Sequence, residues 1–458
     1  GLGDVYKRQC EGTFVGDRDL VTKEIAGAVT DSRQVQKDYL FIPIKGARVD
    51  GHDFIPQVFE KGALVVLSDH ALPEETGPYI LVSSTTEAMK KIAAFYRTQL
   101  SCKVVGITGS VGKTSTKEMI ASVLEQRYKV LKTEGNFNNE IGLPLTIFKI
   151  RAKHEVAVLE MGISDFGEMH RLAAMAQPDI GVITNIGLCH LENLGTRDGI
   201  LQAKTEMFDY LQINGTVILN GDDDKLSSKK EVNGKPVIFY GVGADSAFDI
   251  KKDIYATDIE NHGLEGMRAK IHTPQGDFDA QIPIPGEHNV YNALAGTAVG
   301  LQLGLSIREI AQGIASVQTI AGRTNLLHVK GMTVIDDCYN ANPVSMKASI
   351  DVLAHTSGRR IAVLGDMGEL GAEEKELHRS IGKAVAASGI DALFCAGTLA
   401  EEYASEAKAN PECEVHYKKT REEMTEELLA YVKEGDTVLV KASHFMEFPK
   451  VVEALTKE

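Results

Sequence analysis

At 458 residues the chain exceeds what one ordinary core holds, and about 150 residues per domain points to roughly three domains. A composition of 43% hydrophobic and 25% charged residues is that of a soluble globular protein, and a net charge of -15 argues against a surface that tracks a nucleic-acid backbone. Six scattered cysteines (Cys10, Cys102, Cys189, Cys338, Cys395, Cys413) contain no C-x-x-C pair, so neither a disulfide framework nor a thiolate zinc site is expected, and a cytoplasmic location fits best.

The chain opens on Gly1 with GLGDVYKRQ, a stretch of no clear periodicity, which points to a missing or altered N-terminus. To about residue 97 the segments are short and mixed: YLFIPI reads as a strand, HDFIPQVFEKGA as a helix closing on Gly62, and LVVLSD as a second strand. From about 102 the order becomes strand (KVVGIT), glycine loop, helix (KTSTKEMIASVLEQR) and strand (EVAVLEMG), a parallel α/β unit. Residues 215 to 285 are rich in β signals, NVYNALAGTAVGLQLG is helical, and after about 320 the alternation resumes in a second α/β unit. The longest apolar runs are strand-sized, far below the ~20 residues of a membrane span, and no secretory signal is visible.

The segment KVVGITGSVGKTSTKEMI (103 to 120) carries the chemistry. In G-x-x-x-x-G-K-[ST] the first glycine would fall at Ile107, whereas the glycines here are Gly106, Gly109 and Gly112. A strand, a glycine turn and a helix N-terminus still gather backbone N–H groups around one anion, with Lys113 for the β/γ-phosphates and Thr114 for Mg²⁺. Glu160 ends the run VAVLE at the edge where open α/β sheets bind ligands, so it is a candidate Mg²⁺ ligand, or else a cap. His190 and Glu192 follow another strand, where a lone histidine is more often structural than functional.

The series GITGSVGKTSTK, EGNFNNEIGLPL, EMGISDFGEM, TNIGLCHLENLGT, AKTEMF, LNGDDD, GEHNVYNALA, AGRTN and LGDMGELG resembles, in order, the motifs of the Mur ligases, ATP-dependent amide-forming enzymes of peptidoglycan precursor synthesis. Their phosphate loop has the same displaced glycine. DDCYNANPVSM (336 to 346) and TDSRQVQKDYLFIPIKGARVDGHDF (30 to 54) are most like the branch that adds D-alanyl-D-alanine. The resemblance implies an α/β protein of three domains: an N-terminal UDP-sugar-peptide domain (1–97), a central P-loop ATPase domain with a mostly parallel sheet (98–318) and a Rossmann-like C-terminal domain (319–458). It further implies that UDP-N-acetylmuramoyl-tripeptide is activated as an acyl phosphate with loss of ADP, and that the amine of D-alanyl-D-alanine then displaces phosphate. A monomer without membrane segment or nucleic-acid partner is expected.

Carried over position by position, the resemblance assigns Gly109, Ser110, Val111, Gly112, Lys113, Thr114 and Ser115 to the phosphates. Thr114 and Glu160 would serve one Mg²⁺, and His190 a second together with Lys204, the family's carbamylated lysine. Asn292 would contact adenine, Arg323 and Asp337 the phosphates and ribose, and Asn138 and Asn139 the reacting centre, unless N-F-N-N-E is simply a turn. Asp31, Ser32 and Arg33 would hold the uridine nucleotide, unless they cap or pair. Two segments depart from the family: KASH (441 to 444) stands where lysine-glycine-serine-arginine is usual, so no arginine role carries over, and residues 1 to 9 match nothing and receive no function. The rival readings are another Mur-type ligase, including one acting on a folate-like substrate, and a nucleotide switch or scaffold that ligates nothing. The identity of the third tripeptide residue, lysine or diaminopimelate, stays open.

Overall fold

The computed structural model describes residues 1–458, apart from the side chains of Tyr6 and Arg8. It contains three sheets, one per domain. The first runs Thr13–Val15, Tyr79–Leu81, Val65–Ser68, Tyr39–Phe41, Gly27–Val29, parallel except for its first, antiparallel edge. Val65–Ser68 is buried along its whole length, which is why LVVLS reads as a continuous apolar run rather than an alternating one. The predicted helix beginning at His52 is a 3₁₀ turn, Gly51–Phe54, followed by a helix Ile55–Glu60 with Pro56 in its first turn. Residues 1 to 9, left without an element by their lack of periodicity, form the helical turns Leu2–Asp4 and Val5–Gln9, with Leu2 and Val5 buried.

The helix Thr85–Thr98, capped by the Ser84 hydroxyl on the Glu87 N–H, ties the first domain to the second. Its buried Arg97 donates to the carbonyls of Ala176 and Gln177 and to Asp179, and one apolar core runs unbroken from the first sheet to one face of the central sheet. The central sheet runs Gly276–Ile282, Met267–Thr273, Ile254–Asn261, Lys235–Val242, Thr216–Asn220, Ile180–Ile183, Lys103–Thr108, Val156–Glu160, Val130–Lys132, with the short Glu231–Val232 beside Lys235–Val242. It is parallel up to Ile254–Asn261 and ends in antiparallel hairpins. The helices Lys113–Leu124 and His288–Gln302 cover its other face.

The third sheet, Asn325–Val329, Met332–Asp336, Asp436–Lys441, Arg359–Gly365, Ala392–Ala396, Glu414–Lys418, is parallel except for the opening hairpin, with an apolar core on each face. This is a doubly wound arrangement. The loops after Lys103–Thr108 and Val156–Glu160 meet the segment before Asn325–Val329 and the loop after Met332–Asp336, and the cleft between them is where many of the sequence-predicted residues gather.

Candidate active site

Gly106 lies inside the strand Lys103–Thr108, opposite Leu159 and Gly181, so the loop proper begins at Gly109. Gly109 has φ +154°, and a Cβ there would stand 1.8 Å from Thr184 Oγ1, so the position needs glycine. The neighbouring Thr184–Asn185 pair shapes the turn. Asn185 accepts the Val111 N–H (2.9 Å) and donates to the Val111 carbonyl (2.9 Å), Thr184 donates to that carbonyl (3.0 Å), and the Ser110 N–H reaches the Asn185 carbonyl (3.1 Å). The N–H groups of Gly112, Lys113, Thr114 and Ser115 have no acceptor among the described residues, because they open the helix Lys113–Leu124. Four converging donors at a helix N-terminus, with the Lys113 ammonium folded over the Gly109 carbonyl (3.1 Å), make an anion cradle.

Glu160 is 2% exposed at the end of its strand. The Thr114 hydroxyl lies 3.1 Å from each of its carboxylate oxygens, and the Asn138 amide donates to Oε1 (3.0 Å). Asn138 can lie there only because residue 162 is glycine: a Cβ at Gly162 would come within 2.9 Å of its amide. Asn139, expected by resemblance at the reacting centre, is instead turned away: its side-chain oxygen accepts the N–H groups of Ile141 and Gly142, so it serves the turn that N-F-N-N-E left as the alternative. Lys117, quoted in the loop but given no role there, is fully buried. It donates to the Thr133 carbonyl (2.7 Å), pairs with Glu118 (3.2 Å) and stands 3.9 Å from Glu160 Oε2.

His190 and Lys204 lie on the other side of the loop, within electrostatic reach of each other and of Lys113. His190 has φ 58° at the start of the helical turn Leu191–Leu194, and its Nδ1 is 3.5 Å from Glu369 of the third domain. Burial lowers its pKa against the opposing pull of Glu369. Lys204, in the helix Arg197–Thr205, is 1% exposed, and no residue among those described accepts a hydrogen bond from it. Burial, with the Lys113 charge adding to it, brings its pKa down to about 7, so the amine is neutral in a large fraction of molecules at neutral pH.

Two adjoining cavities of about 170 and 190 Å³ share Val111, Gly112, Arg323, Ser345 and Lys441, one lined also by Asn292 and Asp337 and the other by Lys113, Thr114 and Glu160. Asn292 lines the first, but its amide is already engaged by Thr116 (2.8 Å) and Asn289 (2.9 Å). Asp337 accepts from Lys441 (2.9 Å), from the Ser349 hydroxyl and from the Thr324 N–H (3.0 Å). Burial alone would raise the Asp337 carboxyl, but the Lys441 ammonium, helped by Ser349, outweighs it and holds the pKa below the usual range. Lys441, the first residue of KASH, is thus a site residue that the sequence left unassigned. Arg323 lies over the Tyr339 ring (4.0 Å) and donates to Thr114 Oγ1 (3.3 Å), so the third domain already touches the loop-following threonine of the second.

Asp31, Ser32 and Arg33 are not part of this cluster. Asp31 caps the 3₁₀ turn Ser32–Gln34 and pairs with Arg33 (2.7 Å), whose side chain is 86% exposed, and Lys61 donates to the Ser32 carbonyl (3.0 Å).

Three family descriptions match consecutive parts of the chain: "Mur ligase family, catalytic domain" over residues 24–97, "Mur ligase middle domain" over 107–300 and "Mur ligase, glutamate ligase domain" over 322–444. The chain is 39% identical to the UDP-N-acetylmuramoyl-tripeptide–D-alanyl-D-alanine ligase of Bacillus subtilis (strain 168), covering 94% of this chain and 93% of that one. It is 34% identical to the enzyme of the same name from Escherichia coli (strain K12), over 95% and 96%. Among solved structures, MurF from Acinetobacter baumannii superimposes with a TM-score of 0.89 at 30% identity, covering 100% of this chain and 98% of that one. MurF ligase from Thermotoga maritima in complex with ADP gives 0.82 at 31%, over 96% and 99%.

Proposed function

We propose, from the premise that this chain belongs to the Mur ligase family, that it joins D-alanyl-D-alanine to UDP-N-acetylmuramoyl-tripeptide at the cost of ATP, giving the pentapeptide, ADP and phosphate. The near-full-length match to two ligases that carry this name is the observation behind the choice of substrates. The geometry supports the reaction class. A carboxylate must become a better electrophile before an amine can attack it, and the cradle of orphan N–H groups with Lys113 suits the phosphates of the nucleotide that phosphorylates it. Domain division at 1–97, 98–318 and 319–458 follows the three sheets in this reading.

The donor set also fits divalent cations. Adjacent oxygen ligands of an octahedral Mg²⁺ stand about 2.9 Å apart, and the Thr114 hydroxyl lies 3.1 Å from the buried Glu160 oxygens. Thr114 and Glu160 would hold one ion, and His190 with Lys204 the second. Such ions neutralise two anions that must meet, the γ-phosphate and the tripeptide carboxylate. A lysine ammonium would repel a cation, but a carbamate is a carboxylate-like ligand, and only a neutral amine adds CO₂. Lys204 has such an amine, buried and, among the described residues, without a carboxylate partner, which supports carbamylation.

In this mechanism Lys113 and the Gly112–Ser115 N–H groups hold the transferred phosphoryl group, Asn138 orients Glu160, and Arg323 brings the third domain over the phosphates. Asp31, Ser32 and Arg33 take the uridine nucleotide, Asn292 faces adenine, and Asp337 with Lys441 faces the ribose. Closure excludes water, against which an acyl phosphate would be lost. Mass spectrometry of the product formed from UDP-N-acetylmuramoyl-tripeptide, D-alanyl-D-alanine and MgATP tests the proposal. The pentapeptide nucleotide is expected, and phosphate release independent of both organic substrates would overturn it.

A further inference from the structure

Two arginines of the third domain lie over tyrosine rings, and they differ in what else they touch. Arg359 stands 4.3 Å from the centre of the Tyr431 ring and makes a two-pronged pair with Asp436 (2.8 and 2.7 Å), so its charge is neutralised inside the fold. Arg323 stands 4.0 Å from the centre of the Tyr339 ring, and among the described residues no carboxylate pairs with it. Its side-chain hydrogen bond goes to the uncharged hydroxyl of Thr114 (3.3 Å). A half-buried guanidinium that no protein anion neutralises is open to an anion from outside.

The backbone around Arg323 is held to the same segment that carries the ring. The Gly322 N–H donates to Asp336 (2.9 Å), the Tyr339 N–H donates to the Gly322 carbonyl (3.2 Å), and the Thr324 N–H donates to Asp337 (3.0 Å). Gly322 has φ +78°, and a Cβ there would come within 3.2 Å of Tyr339 Cβ, so the close approach suits glycine. Arg323 therefore travels with the third domain, while the atom it reaches, Thr114 Oγ1, belongs to the second. An unsupported side chain of this length samples many rotamers, and reaching across the cleft would cost that freedom. The ring restricts it without using an N–H donor: a π-face attracts the guanidinium through its plane, whereas the donors point outward along its edge. A carboxylate in the same place would bind the edge and compete with phosphate. Tyr339 and Arg323 both line the cavity that is also lined by Lys113, Thr114 and Glu160.

We propose, on the reading of Arg323 as a phosphate ligand, that Tyr339 is a positioning residue for the nucleotide. Its ring holds the Arg323 guanidinium over the phosphate cradle and leaves the N–H donors free for the phosphate oxygens of ATP. Tyr339 acts through Arg323 and not on the phosphates. The ring face does the holding, so phenylalanine serves in its place and an aliphatic side chain does not.

Calorimetric titration with MgATP, with no organic substrate present, tests this role apart from ligation. Tyr339→Leu is expected to raise Kd about three- to tenfold, the scale of one cation–π contact, and Tyr339→Phe to leave it within about twofold of wild type. Arg323→Ala should also raise Kd, and adding Tyr339→Leu to it should raise Kd no further, because the ring then has nothing to hold. In the ligation assay the effect of Tyr339→Leu should fall on KM for ATP and leave kcat alone. A ring that served the fold only would give effects that multiply in the double variant. That result, or an unchanged Kd in Tyr339→Leu, would overturn the role of Tyr339 and leave the ligase reading standing. An unchanged Kd in Arg323→Ala would remove Arg323 from the phosphates and Tyr339 with it. Because the chain has no tryptophan, Tyr339→Trp gives a second readout that keeps an aromatic ring in place. Its fluorescence should change when Arg323→Ala is added, and identical spectra would mean that no guanidinium rests on the ring.

Discussion

The phosphate loop and the loop at residues 31 to 33 use the same kinds of side chain, an acid, a hydroxyl and a cation, yet hold them in opposite ways. Glu160 and Thr114 are fixed by groups far away in sequence, Asn138, Thr133 and, from another domain, Arg323, and Asn185 shapes the loop that carries Lys113. Asp31 and Arg33 are fixed by each other, two residues apart and in water. Buried groups act through a low dielectric and are already oriented, so their effect falls on the chemical step. An exposed pair is screened and must be rearranged by its ligand, so its effect falls on binding.

The largest consequence of the buried arrangement is expected at Lys204. Lys204→Ala should reduce ligation to background while nucleotide binding, followed by calorimetry, is largely kept. Formate or acetate added to the variant should restore part of the rate by standing in for the carbamate. Full activity without rescue would remove Lys204 from the mechanism and weaken the contrast between the two loops.

Next comes Lys113. Removing one preorganised cation from the transferred phosphoryl group should lower kcat by about 10²–10³-fold. Steady-state kinetics that showed a change in KM alone would mean that the cradle binds without preorganising. Arg323→Ala should be milder, because Arg323 is half-buried and is one of several groups on the phosphates: a rise of about tenfold in KM for ATP, the scale of one charge-assisted hydrogen bond. Scattering should then show less compaction with ATP and the UDP-substrate than wild type shows.

The same contrast explains what could be read from the sequence. The strand, loop and helix around Lys113 are contiguous, so their periodicity and glycines disclosed them, and the displaced glycine resolves as Gly106 within the strand. The burial of Lys204 could not be read from a helix that looks solvated, and only the resemblance of AKTE singled it out. Lys117 and Lys441 escaped because their partners, Glu160 and Asp337, stand 43 and 104 residues away, distances that no local pattern spans. Local composition did decide one case: Asn139, in a good turn sequence, makes the turn.

The smallest effect is expected at Arg33, and it tests the exposed half of the contrast. Arg33→Ala removes an exposed side chain whose hydrogen bonds, among the described residues, go to Asp31, so the melting temperature should not move. If Arg33 meets the uridine nucleotide, KM for the UDP-substrate should rise several-fold with kcat unchanged. Because the pair is in water, raising the salt from about 0.05 to about 0.5 M, which shortens the screening length about threefold, should raise the wild-type KM for the UDP-substrate. It should leave kcat alone, since the cradle is shielded from the same ions. In Arg33→Ala the salt dependence of KM should flatten. An equal salt response in wild type and variant would mean that the attraction comes from elsewhere on the first domain.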